Sequence, residues 1–294
     1  MASTSSPAPA AESPRSTETI GHVPGTIAQI LLLTRYQFRD YLRSRRFVLM
    51  LGLVAVIGAI LTTVVGYYRP AGFLTGPNDF YSELWAGGVT VVIIFAGVIF
   101  GSDAIAGEFQ NRTGYFLMGL PIRRVTVYVG KYIAALIASV IAVVVYAIIL
   151  LGNGAYYFGT SAFIGAFVTS FALALIYLLA LLGATFLFSS LFKTSTYATL
   201  VVAVLFLFGF SLLQDLVAGL AKVEPWFIIS YASPVIGYPF LSTLPAHMAH
   251  VTIGRGGGFT TYNPTYPEGI AIMIGYFILT AIVGLLLFER EEFT

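Results

Sequence analysis

Long runs without Asp, Glu, Lys or Arg divide the chain into candidate membrane spans. A helix crosses the hydrocarbon core of a bilayer in about 20 apolar residues. The runs are 47–68, 84–102, 132–192, 194–214 and 269–288. The third run has room for two helices with a turn between Gly152 and Ser161. The pattern therefore predicts an all-α integral membrane protein with six spans, at about residues 47–68, 84–105, 132–152, 163–190, 196–217 and 269–289.

One further uncharged run, 225–254, is a poor candidate for a span. Proline removes a backbone donor and kinks a helix, and this run contains Pro225, Pro234, Pro239 and Pro245. We expect the run to lie outside the membrane, or to dip into it as short re-entrant or cap helices between spans five and six. Gly254 and the glycines at 256–258 are expected to form a flexible turn before span six.

Residues 26–46, ahead of the first span, have the pattern of an interfacial helix. One helical face carries apolar residues, which are Ile27, Ile30, Leu31, Phe38, Tyr41 and Leu42. Another face carries Arg35, Arg39 and Arg43, and Arg45 and Arg46 follow. Such a helix places its apolar side in the acyl boundary and its arginines among lipid phosphates. The pattern therefore predicts contact with membrane lipid along this segment.

Charge is scarce, and its distribution predicts an orientation. Only 10% of the residues are charged and the net charge is +2, which does not indicate a nucleic-acid partner. Cytoplasmic loops are enriched in Lys and Arg. With both termini in the cytoplasm, only Arg69, Lys222 and Arg255 of the 15 basic residues fall outside. We therefore expect a multi-pass protein of the cell (plasma) membrane with cytoplasmic termini.

Residues 1–25 are rich in Ala, Ser, Pro and Thr and lack an apolar core. They are expected to form a disordered cytoplasmic tail, followed by one transmembrane domain over 26–294. The chain has no cysteine, which excludes disulfides and thiol chemistry.

The stretch from the end of span two to span three is unusually informative. Span two ends in Gly97-Val-Ile-Phe-Gly101, a spacing that lets two helix backbones approach closely and predicts a packing seam. The stretch that follows is amphipathic and carries both signs of charge. Its spaced positions are Asp103, Ile105, Gly107, Glu108, Thr113, Pro121, Arg124, Gly130 and Lys131. These polar anchors indicate a docking surface for a cytoplasmic partner.

This pattern resembles the signature of the permease (transmembrane) subunits of ABC transporters of the type-2 export class. The segment from Arg35 to Phe47 is similar to the elbow helix of that family, and the plan of an elbow, six spans and a long external segment agrees as well. The resemblance implies a permease domain over 26–294. It also implies a pair of permease copies, as a homodimer or heterodimer, bound to two ATP-binding subunits.

The resemblance further implies how the chain would couple to ATP. The chain lacks a G-x-x-x-x-G-K-[ST] phosphate loop, so we expect it not to be an enzyme, with ATP and Mg²⁺ on the partner subunit. The loop after span two would act as the coupling helix. The residues implied in coupling are Glu108, Thr113, Pro121, Arg123, Arg124 and Lys131.

Two groups of polar residues lie toward the predicted outer side. Ser211, Gln214 and Asp215 stand near the outer end of span five and either line a transport pathway or simply end the helix. His247 and His250 would share a face if they lay on a helix, where they could bind a soft metal. No third strong ligand is near them in sequence, so we expect polar surface residues and no metal site.

Three other functions stay open beside the export permease. An ABC-type assembly could act on the membrane without moving a solute. The chain could also be an ATP-independent channel or secondary transporter, but an ion-coupled carrier usually needs polar groups near the midplane, and predicted spans three, four and six contain no Asp, Glu, Lys or Arg near their middle. A membrane enzyme would need clustered His, Asp or Glu at one face, and the only histidines are His22, His247 and His250.

Overall fold

The computed structural model describes residues 25–69, 72, 74–111, 122–162, 164–253 and 257–290, without the side chains of 250–253 and 257–259. The predicted tail, apart from Gly25, lies outside the described residues. So do Thr113 and Pro121, which belong to the segment 112–121 between spans two and three.

Within the described residues, six helices are long and apolar enough to cross a membrane. They confirm the predicted all-α membrane fold, and we call them spans one to six. Their bounds are Arg45–Tyr68, Pro77–Gln110, Arg124–Ala162, Gly165–Leu191, Ser195–Ala221 and Tyr266–Arg290. The elbow helix, Thr26–Arg43, precedes them. Ser44 ends it and caps span one by accepting from the Phe47 N–H, so Arg45 and Arg46 lie in the first turn of span one.

Several helices extend beyond the uncharged runs. Span three begins at Arg124 and its α-helix continues through Gly152 to Phe158, where the sequence pattern predicted a turn from Gly152. The chain turns instead at Gly159, whose φ of 59° favours glycine. Gly154 stays helical and lies close to Tyr81 of span two, since a Cβ there would be 2.3 Å from the Tyr81 hydroxyl.

Spans two and five are not regular α-helices. Each contains two π-helical turns, which are Ser82–Ala86 and Gly97–Gly101 in span two, and Leu205–Gly209 and Val217–Ala221 in span five. Span two also loosens into turns at 102–105 before its last helical turn, Ala106–Gln110. Such π turns are frequent at functional sites, and here one contains the predicted glycine seam.

Spans two, three and four form the core of the bundle. About half or more of their most apolar windows is buried, against 22% or less for spans one, five and six. Hydrogen bonds from polar side chains join these three spans to one another. The Trp85 indole donates to Ser170 Oγ at 2.8 Å, and the Tyr146 hydroxyl donates to the Leu84 carbonyl at 2.6 Å. The outer faces of spans one, five and six remain apolar and exposed.

The segment 222–265, which we call the cap, joins spans five and six. It contains the short helix Ile229–Ala232 and two 3₁₀ turns, Ser233–Ile236 and Tyr238–Phe240. The sequence did not predict its other part, an antiparallel hairpin of β1 (Met248–Ile253) and β2 (Gly257–Tyr262). Of the predicted turn, Gly257 and Gly258 therefore lie in a strand, whereas Gly254 and Gly256 lie outside the described residues. The bundle has a cap end and, opposite it, an elbow end.

Candidate functional site

Asp103 joins three spans at the elbow end. Its carboxylate pairs with the Arg46 guanidinium from span one and accepts a hydrogen bond from the Ser195 hydroxyl, at the start of span five. The Gln110 side chain also accepts from the Ser195 N–H at 2.8 Å. Gly107 packs against the same carboxylate, since a Cβ there would lie 2.9 Å from Asp103 Oδ1. The end of span two is thus held between spans one and five.

Lys131 and Glu108 form an ion pair between spans two and three. Lys131 Nζ lies 2.5 Å from Glu108 Oε1 and donates to the Ala104 carbonyl at 3.0 Å. The two side chains are only 9% and 17% exposed. A buried charge is tolerated when it is paired and hydrogen-bonded, and this pairing lets span three extend past Lys131 to Arg124. The pair fixes the two flanks of the segment 112–121 to each other.

Span four contacts span two at the turns over 102–105 and at the helical turn that follows them. Ser189 Oγ accepts from the N–H groups of Ile105 and Ala106, both at 3.0 Å. These donors stand at the start of the last helical turn of span two, where backbone N–H groups lack intrahelical partners. Ser102 Oγ lies 2.9 Å from Thr199 Oγ1 of span five. Spans one, three, four and five are therefore each bonded directly at the elbow end to residues 102–110 of span two.

A polar cleft of about 250 Å³ opens between the elbow helix and this part of span two. Its lining includes side chains of both charge signs, namely Asp40, Arg46, Asp103, Glu108 and Lys131. The cleft lies beside the flanks of the segment 112–121. The structure thus brings two of the residues implied in coupling, Glu108 and Lys131, into direct contact.

Arg123 and Arg124 lie at the other flank of that segment. Arg123 is exposed at the N-cap of span three. Arg124 donates to the Glu289 carbonyl at 2.6 Å and so ties span three to the end of span six. Of the six residues implied in coupling, four therefore gather at the elbow end, and Thr113 and Pro121 lie outside the described residues.

The elbow helix packs against span three as well as facing outward. Thr34 Oγ1 donates to the Gly130 carbonyl at 3.2 Å, and the Tyr41 hydroxyl donates to the Phe100 carbonyl at 3.2 Å. Ile27 and Leu31 of the predicted apolar face are exposed, whereas Tyr41 is buried. The predicted apolar face therefore packs against the rest of the protein at Tyr41 and faces away from it at Ile27 and Leu31. The five arginines are exposed, at Arg35, Arg39, Arg43, Arg45 and Arg46.

Gly97 and Gly101 face span four. A Cβ at Gly97 would lie 2.3 Å from Leu181 Cδ2, and one at Gly101 would lie 2.0 Å from Thr185 Oγ1. Both glycines are in the π-helical turn, where the Ser102 N–H bonds to the Gly97 carbonyl at 3.1 Å. The two backbones approach closely only because these positions lack side chains.

Ser211, Gln214 and Asp215 do not share a cavity in the described part of the chain. Gln214 Oε1 accepts from Ser230 Oγ of the cap at 2.7 Å. Ser211 and Asp215 are exposed together on the outer face of span five. The three predicted pathway residues are therefore separated. Gln214 contacts the cap, whereas Ser211 and Asp215 face outward.

His247 and His250 do not lie together on a helix, because His250 lies in strand β1, opposite Thr260. The neighbours of His247 come instead from distant positions. Its Nε2 lies 3.5 Å from Glu224 Oε2, and its Nδ1 lies 3.9 Å from Glu268 Oε2. Burial alone would raise the pKa of Glu224, but hydrogen bonds with Glu268 and Tyr231 and the nearby His247 hold it below its usual value.

Sequence reasoning singled out Asp103 only as a motif position and missed Ser189, Ser195 and Gln110. Ser189 and Ser195 are common residue types at the ends of apolar runs, and their partners lie more than 80 positions away. The one available signal was the position of Asp103, a charge at the end of an uncharged run. A charge there needs a partner, and Arg46 is the basic residue at the corresponding end of span one.

The comparisons with known proteins agree with this architecture. No curated protein sequence matches the chain. The family model described as ABC-2 family transporter protein matches residues 31–293, which include the elbow helix from Leu31, all six spans and the cap. The chain therefore belongs to the ABC-2 family of transporter proteins and is a membrane-spanning permease subunit of an ABC transporter.

Proposed function

We propose that the chain forms part of the translocation pathway of an ATP-driven exporter and couples to a separate ATP-binding subunit through the loop after span two. The observation that supports this most directly is the bonding around that loop. Residues 102–110 of span two are held by Arg46, Lys131, Ser189 and Ser195, from four different spans. A force applied to the loop would therefore reach most of the bundle.

The ion pair between Glu108 and Lys131 is central to this coupling. It joins the last turn of span two to span three across the loop, and it is largely buried. Because packed and paired elements move together and not independently, pressure on the loop would displace spans two and three as a unit. Arg123 is exposed beside the loop and is the residue best placed to contact the ATP-binding subunit.

The proposed assembly has two permease copies and two ATP-binding subunits, with ATP and Mg²⁺ on the latter. Spans five and six are the least enclosed neighbours of the core, with 11% and 17% of their most apolar windows buried. Asp215 is exposed on span five, and a carboxylate facing lipid is costly. A second copy, with an aqueous pathway between the two, would cover that face and give Ser211 and Asp215 a polar surrounding.

The orientation follows from the same proposal. The elbow end carries the arginines of the elbow helix and faces the cytoplasm of the cell membrane, and the cap faces outward. A groove of about 790 Å³ between spans four, five and six is mostly apolar, with Phe188, Phe210 and Tyr276 among its walls. Such a surface suits an amphipathic or hydrophobic cargo.

Co-purification with candidate ATP-binding cassette subunits, followed by an ATPase assay in lipid, tests the proposal. We expect a complex whose ATPase activity depends on the permease. Arg123→Glu should weaken the complex, because it reverses the charge at a position proposed to contact the ATP-binding subunit. Mismatched charges across an interface cost several kcal/mol. Lys222→Glu, a matched charge reversal at the cap end, should leave it unchanged. Failure of every candidate subunit to associate would contradict the proposal.

A further inference from the structure

Three side chains that are far apart in sequence meet at the cap end. Glu224 follows span five, His247 precedes β1, and Glu268 lies in the first turn of span six. One ligand atom from each lies within 4.8 Å of the other two. From this geometry we propose that the three residues form a binding site for a divalent transition-metal ion, with Zn²⁺ as the best match to one imidazole and two carboxylates.

The histidine is already oriented as a metal ligand. Its Nδ1 lies 2.9 Å from the Asn263 carbonyl oxygen, which can only accept, so Nδ1 carries the proton of the neutral ring. The lone pair is then on Nε2, which faces Glu224 Oε2. Metal-binding histidines usually donate their other N–H to a carbonyl or carboxylate in this way.

The distance between these two atoms also favours a shared ion. A charge-assisted hydrogen bond from a protonated histidine has a length of about 2.7–2.9 Å, whereas Nε2 and Glu224 Oε2 are 3.5 Å apart. Two ligands at about 2.0–2.1 Å from a tetrahedral Zn²⁺ lie about 3.4 Å from each other. The observed separation matches the edge of a coordination tetrahedron.

Both carboxylates are held by neighbours that leave one oxygen available. The Tyr231 hydroxyl donates to Glu224 Oε1 at 2.6 Å, which leaves Oε2 toward His247. The Thr265 N–H donates to Glu268 Oε2 at 3.0 Å, which leaves Oε1.

The site is accessible and connects separate elements. The side chain of His247 is 47% exposed, while those of Glu224 and Glu268 are about a quarter exposed. An ion could therefore enter from solvent and leave room for a water as fourth ligand. Because Glu268 also lines the groove between spans four, five and six, the ion would fasten the cap to span six beside that groove.

Titration of Zn²⁺ into the purified full-length chain by calorimetry tests this site. We expect one Zn²⁺ per chain. His247→Ala and Glu268→Gln should each weaken binding about tenfold or more, since even residues that only orient the ligands contribute 10–100-fold. His250→Ala is the matched control and should bind Zn²⁺ as the unmodified chain does. Tyr231→Phe, a milder change, should weaken binding to a smaller extent.

Each variant is first checked for unchanged helical circular dichroism and a single peak in gel filtration, so that loss of binding reports the site and not misfolding. Three results would overturn the proposal. They are no saturable binding at millimolar Zn²⁺, unchanged affinity in a folded His247→Ala variant, or loss of binding in His250→Ala. The last would assign the metal to the two histidines of the hairpin segment.

Discussion

At the scale of single residues, four charges at the elbow end form two ion pairs. Asp103 pairs with Arg46, and Glu108 pairs with Lys131. These pairs differ in environment. The Arg46 side chain is about half exposed, so solvent screens its pair, whereas the Glu108–Lys131 pair is mostly shielded from solvent. Removing one partner of the buried pair should therefore cost more stability than removing one partner of the exposed pair.

Lys131→Met tests this difference. Removing one partner of a buried pair leaves an uncompensated charge and costs about 3–5 kcal/mol, so the free energy of unfolding in detergent should fall by about that amount. The double variant Glu108→Gln/Lys131→Met should lose less than the two single variants added together. Arg45→Gln, at an exposed position, serves as the control. Strict additivity of the two changes would contradict a direct pair.

At the scale of secondary-structure elements, the contact between spans two and four depends on two glycines. The sequence predicted a seam from the spacing of Gly97 and Gly101 but did not identify its partner. The structure places Leu181 and Thr185 of span four against them. It also shows a π-helical turn at the seam, which spacing alone cannot distinguish from an α-helical turn.

Gly101→Ala should disrupt this seam. The new methyl group would lie 2.0 Å from Thr185 Oγ1 and 2.8 Å from its Cβ, and overpacking of this kind costs about 1–3 kcal/mol. Adding Thr185→Ala should restore part of the loss, since it removes the hydroxyl but not the Cβ. Thermal unfolding measures both effects.

The control for this pair is Gly52→Ala. A Cβ at Gly52 in span one meets nothing within 4 Å, so this variant should unfold at the same temperature as the unmodified chain or slightly higher. A similar loss in Gly52→Ala and Gly101→Ala would show that the effect does not come from the seam.

At the scale of the whole molecule, the sequence predicted the number and order of spans because lipid imposes long uncharged runs. It placed the start of span three too late, since it treated Lys131 as a boundary and could not know that Glu108 neutralises it. It missed the hairpin of β1 and β2 because the glycines at 254 and 256–258, with Pro245 and Pro264 on either side, resemble the sequence of an irregular loop. The cluster of Glu224, His247 and Glu268 depends on that folding, so local spacing could not reveal it.

The proposed orientation can be tested by labelling single cysteines, because the chain has none of its own. Ser161→Cys and Thr243→Cys lie at exposed positions of the cap end and should react with a membrane-impermeant maleimide added to intact cells. Gln110→Cys, exposed at the elbow end, should react only after the membrane is opened. Labelling of Gln110→Cys in intact cells would contradict both the orientation and the coupling role.

Site-specific photocrosslinking tests coupling through the loop after span two most directly. The photoreactive residue p-benzoylphenylalanine is placed at Arg123, beside the loop, or at Trp226, an exposed position in the cap. In the complex with its ATP-binding subunit, irradiation should crosslink position 123 to that subunit and leave position 226 uncrosslinked. A complex that forms but crosslinks only at position 226, or at neither position, would contradict the account.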